Sequence, residues 1–229
     1  ILIKKIIMKK IYLFLFALFA SWQVNAQVQV GTETGTTSTV PITSCWGFSY
    51  TQQIYTAAEI NANGDITSIS FNYVSGANAA STDWTIYLGH TSKTEFTSTT
   101  DWEVLSNLSQ VYTGTVTYPA AGNLMTITFD TPFSYNGTDN LVVAVDENQS
   151  GYNCSVNWSK SDLGSNRSIY FRSDGTNPDP ASPPTANGRL NLVANATFGG
   201  ITQSCPALSG LTSSNISSSS ATVSWDTPN

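Results

Sequence analysis

Phe133-Ser134-Tyr135-Asn136-Gly137-Thr138-Asp139-Asn140-Leu141-Val142-Val143-Ala144-Val145-Asp146-Glu147-Asn148 is an Asn-Gly turn feeding an apolar run that stops at an acidic cluster. In an extended chain Leu141, Val143 and Val145 face one way, and Val142 and Ala144 the other. Both faces are apolar, as a strand covered on both sides of its sheet requires. The stretch predicts a buried strand with a polar loop at its end, and the rest of the chain reads as its cover.

Working outward, residues 66–74 set Thr67, Ile69, Phe71 and Tyr73 against Ile66, Ser68, Ser70 and Asn72, a half-buried strand entered by a turn at Asn63-Gly64. Residues 84–90 repeat the alternation with Trp84, Ile86 and Leu88 inward. Residues 91–108 have neither period and predict an irregular crossover with Phe96, Trp102 and Leu105 as plugs. Two more strands, 110–118 and 124–130, flank a turn at 119–123, and Thr131-Pro132 punctuates before the central stretch. Beyond it come an excursion over 151–165, a strand at 168–172, an Asn/Asp/Pro loop over 173–188 and a last strand at 189–198. Upstream, residues 27–41 read as a loosely bounded strand and 46–55 as another. Many short strands between Gly, Pro and Asn turns predict an all-β fold, an antiparallel β-sandwich with jelly-roll-like topology.

Composition agrees. Only 10% of the 229 residues are charged and 40% are hydrophobic, with Gly, Ser, Thr and Asn filling most of the rest. Such a chain suits sheet surfaces and is poor material for exposed helices.

Residues 1–26 stand apart. Lys4, Lys5, Lys9 and Lys10 precede an apolar run at 11–20, and Val24-Asn25-Ala26 supplies residues a signal peptidase reads. A secretory signal cleaved after Ala26 is expected, with Met8 as the start and residues 1–7 as upstream read-through. The apolar run is shorter than the roughly 20 residues a spanning helix needs, so no membrane insertion is expected. Without those four lysines the chain keeps five basic residues against fifteen acidic ones, a net charge of −10. That balance disfavours nucleic acid and anionic membrane, and is compatible with cations, neutral glycans or other proteins.

Cys45, Cys154 and Cys205 are an odd number for an exported chain, so at most one pair closes internally. Cys45 with Cys154 is the preferred pair, because Cys205 lies past an apparent boundary; three small buried hydrophobes are the alternative. That boundary is Gly199-Gly200, which places a sandwich domain at 27–200 and a different unit at 201–229. In the latter, Pro206, Leu208, Leu211, Ile216, Val223 and Trp225 resemble the first two strands of a fibronectin type III domain. Such a sandwich takes about 100 residues, so the resemblance implies a truncated domain in a fragment of a longer protein.

The larger unit also carries a resemblance. Ile54-Tyr55 with Glu59-Ile60, the strands at 66–71 and 84–90, Asp101-Trp102, Val111-Tyr112-Thr113-Gly114, Thr131-Pro132-Phe133 with Tyr135-Asn136-Gly137, and Asn140-Leu141-Val142-Val143 follow one another in a recognisable order. They resemble a β-sandwich module of large secreted and surface-attached proteins of Bacteroidetes-type bacteria, often beside fibronectin type III repeats. Its company includes adhesins and gingipain-like peptidases. The resemblance implies a non-catalytic adhesion or recognition module at the cell surface or secreted, binding extracellular protein or glycan and joined to downstream domains. The alternative it leaves is an accessory N-terminal domain of a secreted peptidase or glycoside hydrolase.

The residues themselves offer little for catalysis. His90 is the only histidine and no Gly-x-Ser-x-Gly elbow occurs, which removes a hydrolase triad. One His and three scattered Cys give no zinc spacing. Asp146 and Glu147 are adjacent in a strand and point to opposite faces, so they cannot flank one glycosidic bond. Calcium fits better: Asp146, Glu147 and Asn148 end a strand, and Asp174, Asn177 and Asp179 lie in a Pro-restrained loop. The competing reading makes them turn residues bonded to their own backbone. No other cofactor is expected. For glycan, Trp46, Tyr152 and Trp158 are the ligand-stacking candidates because they fall outside clean alternation; core packing is the alternative for each. Arg167, Arg172 and Arg189 read as partners for acidic loops, and the sequons at Asn107, Asn136 and Asn166 follow from composition.

Overall fold

Strand β8 (Asn140–Glu147) runs between β3 (Phe48–Tyr55) and β5 (Asp83–Thr91), antiparallel to both, and its residues 141–145 are fully buried. The structure, a computed structural model, describes residues 27–76, 80–152, 154–203, 210–216 and 220–224. The expected leader, Cys205 and Trp225 lie outside the described residues. Around β8 the sheet continues through β10 (Ser168–Ser173) and β11 (Gly188–Leu190) beyond β3, and through β6 (Ser109–Thr115) beyond β5.

A second sheet is built on β4 (Ala62–Ser75). Strand β7 (Asn123–Tyr135) pairs along one side of it; β13 (Ala196–Gly199) and then β9 (Asn157–Asp162) pair along the other. Outside these, β1 (Gln27–Val30) pairs with β13, while β2 (Gly35–Thr37) and β12 (Leu192–Ala194) pair with β9. Strands repeatedly cross from one sheet to the other, as in β3 to β4, β4 to β5, β7 to β8 and β9 to β10. The protein is thus an all-β sandwich of antiparallel sheets with jelly-roll-like crossing.

The two apolar faces of β8 feed two layers. Leu141, Val143 and Val145 join Tyr55, Trp84, Ile86 and Leu88 against Ile66, Ile69, Phe71, Tyr73, Ile127 and Phe198 of the other sheet. Val142 and Ala144 join Tyr50, Ile54, Phe96, Trp102, Ile169 and Ala186 on the outer side. There the irregular segments 92–108 and 173–187 form a roof, tied by Trp102 Nε1 donating to the Pro184 carbonyl at 2.9 Å. Beneath it Gln52 Nε2 donates to the Glu103 carbonyl and Gln52 Oε1 accepts the Glu103 N–H, at 2.9 and 2.7 Å. Each fully buried Val or Leu contributes about 1.5–3 kcal/mol. Phe96 and Trp102 plug the roof as expected; Leu105 instead sits half-buried in a 3-10 turn, and Leu108 packs in its place.

Several boundaries differ from the sequence reading, each for a local reason. Asn63-Gly64 lies inside β4 rather than in a turn, and the chain reverses earlier through a short helix α1 (Ala57–Ile60). Thr56 and Glu59 form a capping box, and Glu59 also accepts from Arg167 at 2.6 Å. The pairing of β4 with β7 shifts register between Ile66 and Ser68, which buries Ile66 and turns Thr67 outward. The same irregularity absorbs Pro132, so β7 is one long strand. The last expected strand is three, β11 to β13, each serving a different neighbour. Gly200 (φ +95°) is a turn within the sandwich, since a Cβ there would collide with the Asp65 carbonyl. It returns Ile201 to the core and lets β14 (Thr202–Gln203) pair with β4. Downstream, β15 (Thr212–Ser214) and β16 (Thr222–Ser224) pair antiparallel, with Leu211, Ile216 and Val223 exposed.

Candidate functional site

The polar end of β8 lies where the 44–47, 80–83, 146–152 and 173–179 segments converge with residues 154–155. The link between the first and third is covalent, a Cys45–Cys154 disulfide that closes a separation of 109 residues. Gly47 N–H donates to Asp174 Oδ1 at 3.1 Å, and a Cβ on Gly47 would press on the Asp174 backbone. Asn177 Nδ2 donates to Asn148 Oδ1 at 2.8 Å. Gln149 Oε1 accepts from both the Thr82 N–H and its hydroxyl, at 2.7 and 2.8 Å. Loops far apart in sequence are thereby held as one surface.

Trp46 is half-buried on this surface, with the Arg172 guanidinium 4.9 Å from its ring centroid and 5.4 Å from that of Tyr170. Tyr152 stands out into solvent at 59% exposure. The third expected aromatic does not join them. Trp158 is fully buried, because β9 faces it into the layer between the sheets, 5.5 Å from Tyr73, 5.7 Å from Tyr118 and 6.0 Å from Trp84. Within the expected excursion over 151–165, residues 157–162 form β9, and Trp158 packs the core.

The six expected calcium ligands divide. Asp146 and Glu147 point to opposite faces of the sheet, Asp146 toward the outer layer and Glu147 toward the inner one, so they do not share an ion. Asp174 caps the Gly47 N–H, and Asp179 Oδ1 accepts the Ala181 N–H at 2.8 Å within its own turn. Asn148 and Asn177 bond each other. Among the described residues no group of three or more His, Cys, Asp or Glu is placed to hold a metal.

Electrostatically this end is strained. Burial pushes the Asp146 carboxyl up to about 7, opposed by a hydrogen bond from Asn148 and reinforced by the charges of Asp179 and Asp83. Glu147 is pushed up to about 8 by burial, opposed by the Gln149 N–H and reinforced by Asp146 and Asp83. Asp146 Oδ1 and Glu147 Oε2 have no hydrogen-bond partner among the described residues. His90 stands at the other end of β8, opposite Leu141, where Nε2 accepts the Asn136 N–H at 3.1 Å and the ring stacks on Tyr135.

What sequence reading missed here is the partnership of Arg172 with Trp46, of Asn148 with Asn177 and of Gln149 with Thr82. Each joins residues from separate loops and leaves no local pattern to find. Compared with protein-family models, with curated proteins and with solved structures, the chain matches none.

Proposed function

We propose that the sandwich is a non-catalytic extracellular recognition module of a larger exported protein, and that the disulfide-stapled loop end engages its partner, an extracellular protein or glycan. The observation that carries this is the convergence of four distant segments around Tyr152 and Trp46. Binding residues concentrate on loops held by a rigid scaffold, and a pre-ordered surface loses less entropy on binding. The disulfide supports export to an oxidising compartment. Calcium belongs to this proposal only on the outer side, beside Asp146 and Asp179, whose charges repel there. Excess Ca2+ then raises the denaturation midpoint relative to a chelator, and equal midpoints remove the ion.

The test is a glycan and matrix-protein array probed with the whole chain and with Tyr152→Ala and Trp46→Ala. Binding by the parent that both substitutions weaken supports the reading. Binding that neither changes moves the site elsewhere, and no binding to any class makes the module a spacer.

A further inference from the structure

Among the described residues no long irregular segment roofs the outer face of the β4 sheet as 92–108 and 173–187 roof the β8 sheet, and one row of its side chains is uncharged and polar, with Ser70 and Thr197 at 6% and 8% exposure. Thr126, Ser70, Thr197 and Gln29 lie opposite one another across β7, β4, β13 and β1. The neighbouring position pairs Asn72 with Leu124, which is 50% exposed. None of these residues is charged, on a chain with fifteen acidic groups.

At one side this face dips into a cleft of about 330 Å³, lined among others by Gln29, Glu33, Asn72, Val74, Ser159 and Asn195. The segment 31–34 forms its wall and is pinned from beneath. Asn195 Nδ2 donates to the Glu33 carbonyl at 2.8 Å, and Ser161 Oγ donates to Asn195 Oδ1 at 2.9 Å. The Glu33 carboxylate accepts the Asp162 N–H at 2.9 Å. Gly31 (φ +83°) lets the wall descend, because a Cβ there would collide with Asn195 Oδ1. Asn195 itself is 7% exposed, so the groups that pin the wall lie beneath it.

We propose that this cleft binds a neutral saccharide, at a site separate from the disulfide-stapled end. A sugar ring presents hydroxyls at its edge and C–H groups on its faces. Amides and hydroxyls match the first, and Val74 with the adjoining Leu124 matches the second. Among the described residues no cation lines the cleft to attract an acidic ligand, and the Glu33 carboxylate there already accepts a backbone N–H. Its volume admits a ring or two rather than a protein side-chain cluster.

The test is native affinity electrophoresis of the whole chain in gels containing neutral polysaccharides (glucans of α and β linkage, mannan, galactan, xylan) or one acidic control, pectate. Asn72→Ala, Asn72→Trp, Leu124→Ala and Tyr152→Ala run beside the parent. Retardation by at least one neutral polymer is expected, weakened about fivefold by Asn72→Ala, the effect of one lost hydrogen bond. Asn72→Trp, which fills the cleft, abolishes it, and Tyr152→Ala leaves it unchanged. These side chains are exposed or half-exposed, so denaturation midpoints stay at the parent value. No retardation by any neutral polymer overturns the inference, as does salt-sensitive retardation by pectate alone. Retardation that Tyr152→Ala abolishes and Asn72→Trp leaves intact also overturns it, and would assign glycan binding to the loop end instead.

Discussion

Replacing Asp146 by Asn tests whether the end of β8 is electrostatically strained. Asp146 is 5% exposed, and its carboxyl rises from 3.8 to about 7 through burial and through Asp179 and Asp83. The native state therefore holds its proton more tightly than the unfolded chain does. Between about pH 4 and pH 7 the native state carries the extra proton, so stability falls as pH rises through that window and levels off above it. A shift of that size corresponds to about 4 kcal/mol. Asn keeps an acceptor for Asn148 and cannot ionise. Asp146→Asn should then match the parent near pH 4 and exceed it by up to about 4 kcal/mol at pH 8.5. Glu147, raised to about 8, leaves both proteins a residual decline up to that pH, which Glu147→Gln removes. Urea unfolding followed by tryptophan fluorescence at pH 4, 6 and 8.5 supplies the numbers. Parallel stability profiles for parent and Asp146→Asn would refute the reasoning.

Three further outcomes follow from the packing. Trp158→Ala should cost about 3–5 kcal/mol and should lower ligand binding only in proportion to the unfolded fraction, read by comparing unfolding with array binding. Cys45→Ser with Cys154→Ser should cost about 4–5 kcal/mol for a closed loop of this length, measured as the change in denaturant midpoint, with faster proteolysis confined to the 146–155 and 173–179 segments. Thr56→Ala, which breaks the capping box, should cost about 1 kcal/mol by the same measurement, with the loss concentrated at α1 in hydrogen exchange.

The fold was legible where one periodicity ran uninterrupted. Residues 141–145 declared a strand buried on both faces, and Trp84, Ile86 and Leu88 turned inward as their alternation required. It became illegible where the period broke. The register shift at Ile66 and Ser68 reverses which residues face the core, and no composition signal precedes it. Trp158 was misread for a related reason: β9 is short and polar apart from that one aromatic, so burial comes from its neighbours and not from its own pattern. The capping box at Thr56 and Glu59 was readable in the sequence, but it encloses a single turn of helix in a chain otherwise written for strands. For the candidate site, the loops were identifiable by their Asn, Asp and Pro content. Their meeting was not, because it depends on which strands cross between the sheets.

That crossing also decides which surfaces remain open for binding. The segments 92–108 and 173–187 fold back over the β8 sheet, so its outer face is covered by a second hydrophobic layer. Among the described residues the β4 sheet receives no comparable segment, and the row Thr126, Ser70, Thr197 and Gln29 on its outer side is uncharged and polar, beside the exposed Leu124. The same long roof ends at Asp174 and Asn177, which bond Gly47 and Asn148 and thereby build the stapled end. One sheet face is covered by the loops that also order the end of the sandwich, and the opposite sheet carries a cleft at its side. The two proposed binding surfaces are therefore separable, and substitutions at Tyr152 and Asn72 test one each.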